Sequence, residues 1–391
     1  MVRRSNLGMK KILYIANPES IHDLKWISFF SIQPEEFTCY LLSETEQKIS
    51  LETKAKLKKL NIHLLPQIDS FSIKRPLRTW YSIVQLRRHV NTIKPDFIHV
   101  LFASPFALWI NYISSRSIIT LRGSDILKVI PSLLEQKGLK KYYFKWLYRK
   151  FEQAFQKAEF VTCTSKTQLV KVQELFPYTT VHLIRTGIDI DRINSVSKGD
   201  LPLDLPDDKK IVLSPRYFSP IYNIELQLKA IALMDRDFLS SLYFIFIRGN
   251  NFDQDYNIHI TKELEKLKEI KGLSYQIVDQ LDQENLWKLF LHSDLCVMTP
   301  LSDGTPNTAL EAMATRTPLI VPPLAYDEQL FSETCVHLEH YDANELAMCI
   351  THCLTNYDPK LLDLAWQAVN THGNRNHEML KLERLIQQLK N

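Results

Sequence analysis

The sequence predicts an α/β protein of two doubly wound units, and three observations carry that expectation. Short apolar, β-favouring runs alternate with longer helical patterns, as in parallel sheets whose strands are joined through helices. A stretch rich in Pro, Asp, Ser and Gly, Ser195 to Lys209, interrupts the alternation near mid-chain. The length of 391 residues exceeds one average domain and suffices for two sizeable cores.

In the first unit the runs Lys11 to Ala16, Phe37 to Leu42, Ile62 to Leu65, Phe97 to Phe102, Ser117 to Leu121 and Phe160 to Thr164 read as strands. Helical periodicity falls between them at Ile21 to Phe30, Glu52 to Leu60, Arg78 to Ile93, Lys140 to Lys157 and Thr167 to Leu175. In the second unit strands are expected at Lys210 to Ser214, Leu242 to Arg248, Ser274 to Val278, Asp294 to Pro300, Pro318 to Val321 and Cys335 to Leu338. Its helices are expected at Asn223 to Met234, His259 to Ile270, Gln283 to His292 and Pro306 to Thr315. The chain closes on an amphipathic helix, His377 to Leu389. The expected organisation is a first domain over 1–195, a linker over 196–209, a second domain over 210–376 and a terminal helical segment over 377–391. Met9-Lys10-Lys11-Ile12 reads as a natural beginning, which makes residues 1–8 a loose extension.

Composition narrows the function classes. Apolar residues at 45% and charged residues at 24% describe an ordinary globular chain, and no run approaches the roughly 18 apolar residues of a membrane span. The six cysteines lie mostly in apolar segments without metal-ligand spacing; Cys349 and Cys353, four apart on a helical pattern, suit packing better than ligation. Reduced thiols and no recognisable signal peptide imply a cytoplasmic protein. The net charge of +4 conceals an asymmetry, because residues 1–200 carry 31 basic against 17 acidic residues and residues 201–391 carry 17 against 27. A basic half could bind nucleic acid, but no zinc finger, RNP-type motif or repeat is present, so no nucleic-acid partner is expected. The excess has a local focus at Lys137 to Phe151, where six basic residues interleave with Tyr142, Tyr143, Phe144, Trp146, Tyr148 and Phe151. Two readings fit: a helix lying on an anionic membrane surface, or a domain helix with packed aromatics and solvated lysines.

The run Asp303 to Ala314, DGTPNTALEAMA, points to chemistry. It follows an apolar strand, turns at Ser302, Asp303 and Gly304, and enters a helix for which Thr305 is a suitable cap and Pro306 a suitable first residue. Unpaired N–H groups at the start of such a helix, at the carboxyl edge of a sheet, form an anion site. Glu311, about one and a half turns further in, can accept hydrogen bonds from a ribose diol. Taken singly, Asp303 as a turn residue and Glu311 as a solvated helix position fit equally well.

The whole window resembles the E-x7-E signature of the family-4 glycosyltransferases, an acid, Gly, a variable residue, Pro, four residues and Glu-Ala-Met-Ala. Here Gly304, Pro306, Glu311, Ala312, Met313 and Ala314 follow the pattern, while Asp303 is one methylene shorter than the usual glutamate. The resemblance implies a GT-B fold, two Rossmann-like domains facing across a cleft with the linker as hinge and the terminal helix crossing back to the first domain. It implies transfer of a sugar from a nucleotide-sugar donor, with Asp303 facing the sugar and Glu311 binding the ribose. Donor binding by Gly304, Thr305, Pro306, Asn307 and Thr308 follows from the same match.

Similarity continues through Val161 to Ile193 and Gln283 to Pro300. Arg216, in Leu213-Ser214-Pro215-Arg216, stands where the family sets an arginine against the diphosphate, a task suited to a permanently charged, bidentate guanidinium. The lysine usual a few residues later is replaced by Pro220, Ile221, Tyr222 and Asn223, and Asn223 offers only a neutral donor. On the acceptor side His99 ends a strand, where it either orients or deprotonates an acceptor hydroxyl or simply packs. Leu101 stands where a second histidine is common. Arg122 replaces a common histidine before Gly123-Ser124-Asp125, and Asp125 either serves the acceptor or caps the next helix. His22 and Trp26 resemble a family segment in the first strand-to-helix loop, without its glycine pair. The resulting expectation is a retaining glycosyltransferase with no cofactor and no required metal, peripheral on the inner face of the cytoplasmic membrane, extending a surface polysaccharide on a glycan or lipid-linked acceptor. The alternatives are a catalytically degenerate nucleotide-sugar-binding protein, and an epimerase or hydrolase of nucleotide sugars on the same architecture.

Overall fold

The computed structural model describes residues 9–389 apart from 73, 139 and 250–252, so the expected extension at 1–8 lies outside the described residues. The chain forms two compact units, Met1–Ile184 with Met379–Asn391, and Arg185–Glu378.

The first unit is built on seven parallel strands: β1 (Lys10–Ile15), β2 (Phe37–Leu42), β3 (Ile62–Leu64), β4 (Phe97–Leu101), β5 (Ser117–Thr120), β6 (Phe160–Cys163) and β7 (Val181–Leu183). Their order is β3-β2-β1-β4-β5-β6-β7, so the direction of winding reverses between β1 and β4. Both faces of the sheet are covered, and strands such as β4 are therefore buried at every position rather than at alternate ones. On one face Leu13, Ile15, Ile98 and Val100 pack with Leu86, Trp109, Phe151 and Phe155. On the other, Ile12, Tyr14, Leu41 and Leu101 meet Trp26, Ile27 and Phe30 of the helix Ile21–Ser31, together with Met379, Leu382 and Ile386. The short β7 was not separated in the sequence, because Val181-His182-Leu183 is only half-buried at the sheet edge and carries little apolar pattern.

The second unit has six parallel strands: β8 (Lys210–Ser214), β9 (Leu242–Ile247), β10 (Tyr275–Val278), β11 (Leu295–Val297), β12 (Leu319–Val321) and β13 (Val336–His337). Their order is β10-β9-β8-β11-β12-β13. The stretch 196–209, expected to link the units, lies within the second: Val196, Leu201, Leu203 and Leu205 pack against its core. The boundary falls earlier, at Ile184, since Ile188, Ile190 and Ile193 are buried with Trp287, Leu310 and Val369. Two helices precede the last one, Arg375–Gln388: Ala343–Asn356, which carries the helical pattern expected at Cys349 and Cys353, and Pro359–His372, which has no expected counterpart. All six cysteines are free thiols, and no described helix is long and apolar enough to cross a membrane.

Candidate functional site

At the carboxyl edge of the second sheet, β8 and β11 lie side by side and release the chain at Ser214 and Val297. Arg216 and the turn at Asp303 thus leave the sheet from neighbouring strands. The turn is folded by Asp303 itself, whose Oδ1 accepts the Gly304 N–H at 2.8 Å. That bond withdraws Gly304 from the row of donors expected to face an anion. The helix begins at Asn307 rather than Pro306, which takes the capping position in extended conformation (φ −71°, ψ 120°) and makes no side-chain cap. A proline ring fixes φ but tolerates this ψ, and its carbonyl accepts from Ala309 and Leu310. Thr305, expected as the cap, is part of the turn. The first N–H groups of Asn307 and Thr308 have no acceptor inside the helix, as at every helix start.

Around Arg216 the expected residues converge. Its Nη1 donates to Thr308 Oγ1 at 3.0 Å, its Nη2 lies 2.9 Å from Asp303 Oδ2, and its guanidinium sits 4.1 Å from the centre of the Tyr222 ring. The charged pair is largely shielded, with 14% and 16% of the two side chains exposed. Attraction is therefore less screened than at an open surface. That contact is an ion pair and not a hydrogen bond, so buried Asp303 Oδ2 has no hydrogen-bond partner; Arg216 Nε and Tyr326 Oη, also buried, have none either. Burial, then the Asp303 charge, drives the Tyr326 pKa far up against the opposing pull of Arg216, which keeps this phenol a neutral donor. Buried polar groups are ordinarily satisfied, so three unsatisfied ones about one guanidinium suit a polar ligand.

Glu311 is 4% exposed, and its Oε1 accepts from Gln283 Nε2 at 2.9 Å. Gln283 opens the helix Gln283–His292; the sequence offered no sign of this contact beyond a glutamine next to the Asp282 cap. Asn223 has left-handed backbone (φ 50°) after the turn Pro220–Tyr222, and its carbonyl accepts from Thr299 Oγ1 at 3.0 Å. Its side chain makes no helix cap. Where the family's lysine would stand, the chain instead places the Tyr222 ring against Arg216, a contact no spacing rule indicated.

In the first unit the acceptor-side residues separate. Arg122 Nη1 pairs with Asp23 Oδ1 at 2.6 Å, with 13% and 5% of their side chains exposed. Asp23 was not singled out in the sequence, although it follows His22 directly. Burial raises its carboxyl pKa against the lowering effect of Arg122. His22 is exposed in part; the burial of the remainder, then the positive charges of Arg122 and Lys25, lower its pKa to about 4. Asp125 is fully buried and accepts backbone N–H bonds from Ala103, Arg122, Gly123 and Ile126. It therefore braces the loop and does not reach an acceptor.

His99 corrects its expectation. It has no exposed surface, bonds through Nε2 to Thr120 Oγ1 at 2.7 Å and packs against Tyr14 and Trp26. Burial pushes its pKa down to about 3. The reason lies in the register: His99 pairs with Tyr14 in mid-sheet, not beyond the strand end. An imidazole so enclosed cannot touch an acceptor hydroxyl. Among the described residues, no group of three or more His, Cys, Asp or Glu side chains is placed to hold a metal ion.

Comparison with known proteins agrees with this architecture. Residues 11–158 match the family described as Glycosyl transferase 4-like, and residues 201–361 match that described as Glycosyl transferases group 1. No curated protein sequence matches the chain. Among solved structures, a glycosyltransferase from Rickettsia africae ESF-5 superposes with a TM-score of 0.77 at 16% identity, over 98% of this chain and all (100%) of that one. Anabaena Alr3699/HepE in complex with UDP gives 0.74 at 14% identity, over 97% and 100%. The Escherichia coli protein described as trehalose-6-phosphate, bound with UDP-2-fluoro glucose, gives 0.71 at 13%, over 97% and 100%. Identities this low speak for shared fold. Because one family match falls on each unit and together they span most of both, the chain belongs to the family-4 type of GT-B glycosyltransferases.

Proposed function

We propose that this glycosyltransferase draws its sugar from a nucleoside diphosphate sugar held by the second unit. It passes the sugar, with retention at the anomeric carbon, to a hydroxyl of a glycan or lipid-linked acceptor during surface polysaccharide synthesis. The observation that supports this most is the convergence of Arg216, Asp303 and Thr308 at the start of the Glu311 helix, with Arg216 Nε, Asp303 Oδ2 and Tyr326 Oη unsatisfied. In this reading Arg216 and the first N–H groups of the helix receive the diphosphate and stabilise the charge that grows on its leaving oxygen. Glu311 accepts the ribose hydroxyls and Asp303 faces the sugar. The departing diphosphate oxygen takes the acceptor proton, so no side-chain base is required, which suits the enclosure of His99. Charge is carried by Arg216 and the helix, and the reaction invokes neither metal nor cofactor. Arg122 and His22 border the acceptor. The basic, aromatic stretch Lys137 to Phe151 favours a lipid-linked acceptor at the inner face of the cytoplasmic membrane. UDP is the first nucleotide to test, since the Anabaena and E. coli proteins were solved with UDP or a UDP sugar.

A thermal-shift series with UDP, GDP, ADP, CMP and their sugar conjugates tests the reading, because a ligand bound only by the folded chain raises Tm. One nucleotide is expected to raise it, and Glu311→Ala is expected to weaken that nucleotide by about ten- to a hundred-fold through loss of charge-assisted hydrogen bonds. No binding by any of them sinks the proposal. Binding without turnover identifies a degenerate sugar-nucleotide binder. Free or isomerised sugar released without acceptor identifies a hydrolase or epimerase.

A further inference from the structure

The helix Pro76–Ile93 of the first unit is turned inside out over its first half. Toward the protein it buries Thr79 and Ser82, which bond locally to Ser72 and to the Asp69 carbonyl. Toward solvent it presents Leu77, Trp80, Tyr81 and Val84, exposed by 82%, 64%, 56% and 42%. Positions i, i+3, i+4 and i+7 form one continuous stripe, so the apolar face of this amphipathic helix points away from the core. Further along, Leu86 and Ile93 restore the usual inward orientation. A stripe of this composition differs from the scattered apolar residues that any surface carries.

A second helix, Lys140–Lys157, behaves similarly. Its aromatics divide: Phe144 and Tyr148 pack against the core and Phe151 is buried, while Tyr142 and Trp146 are exposed by 76% and 37%. Both helices pack against the segment Ala107–Tyr112, through Arg87 Nε to the Tyr112 carbonyl at 2.8 Å and Asn111 Nδ2 to the Lys150 carbonyl at 2.9 Å. Both end just before a strand, at Ile93 ahead of β4 and at Lys157 ahead of β6. Their first halves therefore lie toward the carboxyl edge of the same sheet, on the same face of it.

Charge selects the occupant. No acidic residue occurs between Asp69 and Asp96 or between Glu135 and Glu152, whereas Lys74, Arg75, Arg78 and Arg88 flank the first stripe and Lys140, Lys141 and Lys145 flank the second. A cationic rim around Trp, Tyr and Leu is complementary to an anionic lipid surface, where aromatic rings lie at headgroup depth and apolar side chains reach the acyl boundary. We infer that the first half of Pro76–Ile93 is the apolar wedge of a two-helix membrane-docking face on the first unit, with Lys140–Lys157 supplying its main charge. The inference rests on the membrane reading of Lys137 to Phe151 only for that charge. A bilayer held there lies on the side of the sheet edge from which β4 and β5 release their loops, so a lipid-linked acceptor would be delivered already oriented.

Co-sedimentation of the full chain with vesicles of phosphatidylcholine alone, and of phosphatidylcholine mixed with phosphatidylglycerol, tests the inference. The chain is expected to bind the anionic vesicles only, and Leu77→Ser/Trp80→Ser/Tyr81→Ser to bind them about ten-fold or more weakly, since each change removes interfacial area without touching a buried contact. Unchanged circular dichroism and nucleotide-induced thermal shift show that this variant is folded. If it binds as the parent does while Lys140→Gln/Lys141→Gln/Lys145→Gln does not, the wedge is overturned and the Lys137 to Phe151 reading stands. If the parent binds no vesicle, both fall. If the parent sediments as a dimer that the serine variant dissociates, the stripe is covered by a second copy and the inference is overturned.

Discussion

Arg216 and His99, both singled out by motif, come to opposite surroundings over a few ångströms. Both stand near strand ends on the carboxyl side of a sheet. Arg216 lies two residues beyond β8, which frees its side chain to meet Thr308 and Asp303. His99 lies inside β4, two residues before its end, which seals its ring between Tyr14 and Trp26. The burial of His99 has a measurable consequence. With a folded pKa of about 3 against the ordinary 6.5, the folded chain leaves this ring neutral where the unfolded chain protonates it. Its contribution is therefore intact above pH 6.5 and is lost as pH falls below that value, at about 1.4 kcal/mol per pH unit. The raised pKa values of Asp23 and Asp125 act in the opposite direction but are common to parent and variant. Denaturant unfolding at pH 7.5 and 5.5 should thus show the parent losing about 1.4 kcal/mol more than His99→Gln. Equal losses would mean that the ring takes up its proton in the folded chain.

At the scale of elements, what the sequence made legible was whatever depended on local pattern. The helices Lys140–Lys157 and Gln283–His292 and the strands β2 and β8 have the expected bounds, because apolar period and flanking polar residues define them without outside help. The Asp303 to Ala314 window was legible as a unit for the same reason, its turn, proline and helix being consecutive. The contacts around the candidate residues were not: Gln283 to Glu311 in the second unit and Asp23 to Arg122 in the first join residues far apart in the chain, and Tyr222 reaches the nearby Arg216 only through the fold of the turn Pro220–Tyr222. The orientation of Pro76–Ile93 was hidden as well, since periodicity shows that a helix has an apolar face but not which way it points. Gly187 stands between the two cases. The sequence marks a turn there, and the structure gives it φ +61° with an added Cβ falling 2.7 Å from both Arg375 N and Gly373 O. These atoms belong to the bridge in which Ile188 N–H bonds to Gly373 O and Arg375 N–H to Ile188 O, each at 2.9 Å. Gly187→Ala should lower the unfolding free energy by about 1–3 kcal/mol, from left-handed backbone and crowding together. An unchanged denaturation midpoint would show that the bridge is not held in solution.

Across the whole molecule, charge and chain path assign different work to the two units. The excess of basic residues lies in 1–200 and that of acidic residues in 201–391, so an anionic surface attracts the first unit and repels the second. The proposed binding of an anionic donor in the acidic unit therefore calls on local features, a shielded guanidinium and a helix start, rather than on the general field. The chain path binds the end of the protein to its beginning: Met379, Leu382 and Ile386 are 1%, 0% and 1% exposed and complete the core that contains Ile12, Tyr14 and Trp26. Arg116 Nη1 also donates to the Leu389 carbonyl at 2.7 Å. Each of the three apolar side chains contributes roughly 1.5–3 kcal/mol by burial, so together they amount to a large part of the 5–15 kcal/mol typical of a domain. Deletion of residues 379–391 should therefore lower the melting of the first unit sharply while leaving the second unit's transition, and its nucleotide-induced shift, in place. Leu382→Ala, which keeps the helix and removes one buried side chain, should cost about 2–5 kcal/mol of the same unit's stability. Differential scanning calorimetry with and without nucleotide separates the two transitions. If the deletion moves only the nucleotide-responsive transition, the terminal segment supports the second unit and its assignment to the first core is wrong.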